Sequence, residues 1–105
     1  MRAEQLRLGN WVYDDMNNMV KVDHQDIGEE LYIFYKPIPL TEEILLKCGF
    51  LNLPILDNHF YVKGMLILKR DETFIHDKTG VELKYLHQLQ NLIYALTQQD
   101  LNIKL

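Results

Sequence analysis

A chain of 105 residues with 48% apolar content is the size of one domain and can fill a hydrophobic core without metals or disulfides. Its single cysteine, Cys48, excludes an internal disulfide, and the absence of a signal-like start or a long apolar run gives the expectation of a soluble, cytosolic protein. A net charge of -4 argues against an open nucleic-acid binder, which needs a basic surface to displace counterions.

The acidity is uneven. Between Asp14 and Glu43 lie eight acids (Asp14, Asp15, Asp23, Asp26, Glu29, Glu30, Glu42, Glu43) against two bases, Lys21 and Lys36. Asp23, Asp26, Glu29 and Glu30 form a candidate acidic patch, which reads as a solvated loop or as a surface that imitates nucleic-acid phosphates.

In chain order, Leu8 to Tyr13, the polar cluster Asp14 to Asn18 and the run Met19 to Val22 predict a β-hairpin over residues 8 to 25. Gly9 marks a bulge or a close backbone approach. Leu31 to Tyr35 reads as a third strand, ended by Pro37 and Pro39. PLTEEILLKCGF predicts a short helix from Glu42 to Cys48. Thr41 stands at its N-cap, Glu42 and Glu43 lie in its first turn, and Gly49 is placed to end it in a left-handed conformation. Residues 51 to 58 read as a loop. Four apolar bursts follow: Phe60 and Val62, Met65 to Leu68, Phe74 and Ile75, and Val81 and Leu83. Their spacing predicts an antiparallel β-meander.

The last element, YLHQLQNLIYALTQQ from Tyr85 to Gln99, has helical periodicity and no charged residue. Tyr85, Leu86, Leu89, Leu92, Ile93 and Leu96 form its core face, while His87, Asn91, Tyr94 and Gln98 form a polar, neutral face opposite. Such a face can be dehydrated without stranding a charge, as at the centre of an interface. It reads equally as a docking surface, for a partner or for a second copy in a homodimer, and as a face covered by the chain itself, for instance by residues 23 to 30. The fold class expected is α+β: a small single domain over residues 1–105, with an N-terminal β-hairpin plus an antiparallel meander, one short helix and one longer C-terminal helix.

Catalytic chemistry finds little support. The chain contains no serine, and it lacks C-x-x-C and any glycine-rich phosphate loop. His24, His59, His76 and His87 have no paired-ligand spacing, so neither a metal nor a cofactor is expected. Tyr61, Lys63, Lys69 and Arg70 are the one candidate platform for single-stranded nucleic acid. Trp11, Tyr13 and Tyr35 would serve a peptide-reading barrel if the β-rich part closed as one.

LRLGNWVYD, PIPLTEEILLKCGF and KYLHQLQNLIYALTQQDL, in that order, resemble the signature of a family of small uncharacterised proteins encoded by phages, prophages and other mobile elements of Bacteroides-type bacteria. The chain departs from that signature at Leu45, Cys48 and Gln98 to Asp100. The resemblance implies no particular activity. It implies a mobile-element accessory protein, and small acidic phage proteins of this kind often act by occupying a host nuclease or defence protein, as anti-CRISPR proteins do. The expectation is a non-enzymatic protein-binding module, the alternatives being a nucleic-acid accessory protein or a structural homo-oligomer.

Overall fold

The computed structural model describes residues 6–23, 34–52, 59–62, 65–71, 73–101 and 103. The elements in chain order are β1 (Trp11–Tyr13), β2 (Met19–Lys21), α1 (Glu42–Lys47), β3 (Leu51–Asn52), β4 (His59–Val62), β5 (Met65–Arg70), β6 (Thr73–His76), β7 (Glu82–Leu83) and α2 (Leu86–Thr97). The class is α+β, as expected from the sequence. The chain falls into two compact units, one of residues 1–39 and 85–100, the other of residues 40–84 and 101–105.

In the first unit β1 and β2 pair antiparallel, with Trp11 opposite Lys21 and Tyr13 opposite Met19. The turn is built by Asp14, whose Oδ1 accepts from the Met16 and Asn18 amides at 2.9 and 2.8 Å, with Asn17 in the left-handed region. Asp and Asn are turn formers for this reason: a short side-chain oxygen replaces a backbone acceptor. Of the expected strand over Leu31 to Tyr35, the first three residues lie outside the described ones. Lys36 exchanges both backbone hydrogen bonds with Tyr13, so the segment that follows runs along the free edge of β1. It then reaches the start of α2, where the Ile38 carbonyl accepts from the Leu86 amide at 2.8 Å. Val12, Val22, Ile38, Leu86, Leu89 and Ile93 are buried. Each such aliphatic side chain contributes roughly 1.5 to 3 kcal/mol.

The second unit contains α1 and a five-stranded antiparallel sheet in the order β3-β4-β5-β6-β7. α1 begins at Thr41, whose hydroxyl accepts from the Ile44 amide at 3.2 Å. It ends in a Schellman motif: the Phe50 amide reaches the Leu45 carbonyl, the Gly49 amide reaches Leu46, and Gly49 takes φ +90°. Leu45, Cys48 and Phe50 are buried.

Strand alternation divides the sheet into two faces. Phe60, Met65, Ile67, Phe74, His76 and Leu83 are buried on one, where Phe60 and Phe74 meet edge to face at 6.0 Å. An ion pair between Lys69 Nζ and Glu42 Oε1 at 2.8 Å sets α1 on the same side. The register puts Leu51, Tyr61 and Leu66 in one row of the opposite face, and His59, Leu68, Ile75 and Glu82 in the next. Among the described residues of that second face, Leu51 is 67% and Tyr61 42% exposed, while His59, Leu66, Leu68 and Ile75 are half-buried. β3 falls inside the expected loop, because two residues carry no alternation that could announce a strand.

Candidate functional site

The uncharged helix face divides along its length. Over the first half of α2 the side chains of Gln90 and Asn91 bond to the first unit's own N-terminal segment. Gln90 is buried; its Nε2 donates to the Gly9 carbonyl at 3.1 Å and its Oε1 accepts from the Trp11 amide at 2.8 Å. A donor and an acceptor aimed at the groups flanking Asn10 reproduce what one residue of a neighbouring strand would offer. The side chain therefore completes the edge of β1 just before Lys36 takes over at Tyr13. Gly9, with φ +89° and its amide donating to the Val22 carbonyl while the Val22 amide donates to the Asn10 carbonyl, forms the bulge that its position in the sequence suggested; the space beside its α-carbon is open, so the glycine serves the backbone conformation and not a close approach.

Asn10 is fully buried and satisfied: its Oδ1 accepts from the Arg7 amide at 2.6 Å and its Nδ2 donates to Asn91 Oδ1 at 2.9 Å. The Arg7 guanidinium lies 4.2 Å over the Tyr94 ring, donates to Asn91 Oδ1 at 3.3 Å and pairs with Asp100 at 2.7 Å. Stacking of a cation on an aromatic ring contributes about 0.5 to 1 kcal/mol at an exposed site. The Asp100 carboxylate is mostly solvated, so its ion pair adds little.

His87, expected on the docking face, is 5% exposed, and its ring stacks on Tyr85 at 5.9 Å with 13° between planes. Among the described residues its Nδ1 is buried without a hydrogen-bond partner, and burial pushes the imidazole below its ordinary value of 6.5. The face predicted as His87, Asn91, Tyr94 and Gln98 is thus internal at its first member, bonded within the chain at its second, and exposed at Tyr94 and Gln98. The covering segment identified here is residues 7–11. Of the predicted acidic patch, Asp23 is exposed, while Asp26, Glu29 and Glu30 lie outside the described residues.

Beyond Ile93 the helix is open. Tyr94, Ala95, Leu96, Thr97, Gln98 and Gln99 are all exposed, and none is charged. Leu96, placed in the core by periodicity, is 51% exposed. Periodicity identifies the face of a helix, not the point at which its cover ends. Gln98 closes the element in the left-handed region, its amide bonded to the Tyr94 carbonyl at 2.7 Å.

The other candidate chemistries separate in space. Lys69 and Tyr61 occupy opposite faces of the sheet, and Lys69 is tied to Glu42, whereas Arg70 shares the face of Tyr61, so the residues proposed to stack on nucleic acid do not all form one platform. Lys63 lies outside the described residues. His76 Nδ1 is 2.7 Å from Thr79 Oγ1, on the buried face opposite to that of His59. Among the described residues no group of three or more His, Cys, Asp or Glu could hold a metal ion. Cys48 is buried and its thiol is pushed up to about 12, which keeps it protonated and unreactive at neutral pH. No helix of the described residues is long and apolar enough to cross a membrane. No protein-family model matches the chain, and no curated protein and no solved structure matches it.

Proposed function

We propose that this protein is a non-enzymatic, protein-binding accessory protein of a phage or mobile element, acting by occupying a host protein such as a nuclease or defence effector. The observation that carries the binding role is the open end of α2, six consecutive exposed and uncharged residues that include Tyr94 and Leu96. Aromatic and neutral side chains can be desolvated on docking at little cost, and interface centres favour them over Lys and Glu. The mobile-element setting rests on the sequence resemblance alone. Nucleic-acid binding is the weaker reading, because Lys69 is paired to Glu42 and faces away from Tyr61.

The test is affinity capture from a nuclease-treated lysate of a Bacteroides-type bacterium, comparing the wild type with a Tyr94→Glu, Leu96→Glu variant. Both positions are exposed, so the variant is expected to fold as the wild type does by circular dichroism. One host protein enriched by the wild type and lost with the variant supports the proposal. Enrichment that survives the double change, or that disappears when nucleic acid is digested, overturns it.

A further inference from the structure

The docking surface proposed on α2 receives a side chain from outside the helix. Arg7 reaches it from the N-terminal segment and spreads its guanidinium over several groups at once. Nε donates to Asn91 Oδ1 at 3.3 Å, Nη1 to Asp100 Oδ1 at 2.7 Å and Nη2 to the Gln90 carbonyl at 3.5 Å, while the group lies 4.2 Å over the Tyr94 ring. Arg7 is in turn held from beneath. The fully buried Asn10 accepts from the Arg7 amide through Oδ1, and its Nδ2 donates to the same Asn91 oxygen that receives the guanidinium. One buried amide therefore fixes both the backbone and the head group of Arg7.

Tyr94 lies at the outer end of this chain of contacts and is 36% exposed. An exposed side chain on a helix ordinarily exchanges rotamers within nanoseconds. Here one face of the ring is occupied by a planar cation that is anchored at several other points.

We infer that Arg7 is a positioning residue of the docking surface: it closes one face of Tyr94, holds the ring in a single rotamer and leaves the rest of the ring to a neutral side chain of the docked host protein. The ring already carries a cation on one face, so a second cation brought to the other is disfavoured by the first, and an apolar or amide group is the better fit. Docking a ring that is ordered beforehand avoids the entropy lost in fixing it, which corresponds to roughly three- to tenfold in affinity for one side chain. The inference rests on the proposed function, since the ordered ring matters only to a protein that docks on it.

The test has two readouts on the full chain. In the free protein, NMR couplings should show one Tyr94 rotamer for the wild type and for Asp100→Asn, whose ion pair is mostly solvated. Rotamer averaging is expected in Arg7→Ala and also in Arg7→Lys, which keeps the charge and loses the planar fork. Both substitutions retain the backbone bonds between residue 7 and Asn10, so an unchanged circular dichroism spectrum is expected. The second readout is the affinity for the host protein captured by the wild type, which should fall roughly three- to tenfold in the two Arg7 variants and stay within about twofold in Asp100→Asn. A Tyr94 ring that keeps one rotamer in Arg7→Ala overturns the positioning role and leaves the proposed function standing. So does an Arg7→Ala chain that binds as the wild type does while Tyr94→Glu, Leu96→Glu fails to bind. No capture by the wild type, or capture that survives Tyr94→Glu, Leu96→Glu, overturns the function itself and this role with it.

Discussion

The two helices are held by opposite means. α1 has six residues and a complete set of local signals: a Thr41 cap, acids in its first turn, Lys47 in its last, and a glycine-closed C-terminus. α2 is twice as long and has one local cap, the Gln88 Oε1 that accepts from the Tyr85 amide at 3.1 Å. Tyr85 stands at its N-cap, its first turn has no acid and its last no base, and a non-glycine residue closes it in the left-handed region. Its stability comes from packing and from amide groups bonded to a distant segment. Local chemistry can hold one turn and a half; a longer helix without it depends on the partner it completes.

The sharpest way to break that contrast is Gln90→Ala, which leaves the Gly9 carbonyl and the Trp11 amide unpaired. At about 1 to 3 kcal/mol for each stranded part-buried group, the expected loss is about 2 to 6 kcal/mol in urea unfolding. A smaller effect is expected from Thr41→Ala, about 1 kcal/mol for a lost N-cap. If the two losses are equal, the contrast between the helices fails. Gln98→Gly should stabilise by roughly 0.5 to 1 kcal/mol, because the residue sits at φ 60° and glycine enters that region without strain. The thermal midpoint reads this directly.

Acidification is the mildest perturbation. His87 is buried in the first turn of α2 with a folded-state value below 6.5, so between that value and 6.5 the unfolded chain binds more protons than the folded one. Stability is therefore complete above 6.5 and declines as the pH falls toward the folded value. His87→Phe should flatten this part of the profile, measured as urea midpoints between pH 7 and 5. An unchanged slope would show that His87 is not the group responsible.

The sequence disclosed what local periodicity controls. The hairpin turn at Asp14 to Asn18, the limits of α1 to within one residue, and the meander from His59 to Leu83 follow from alternation, capping and turn chemistry. It disclosed less of α2, where composition marked the neutral face but not its use. The role of Gln90 depends on which backbone edge it meets, and no spacing along the chain encodes a contact 81 residues away. The missing charges were the only signal, compatible with a face turned outward or inward. Both occur, on successive parts of one helix.

The lengths of the outer strands bear on how such a chain stays manageable in a crowded cell. β3 and β7 bound the sheet and have two residues each. They offer few unpaired backbone groups to a passing strand, and a short template is a poor seed for fibrils. A sheet with apolar residues on both sides would ordinarily be an aggregation hazard. Here the short borders resist lengthwise growth.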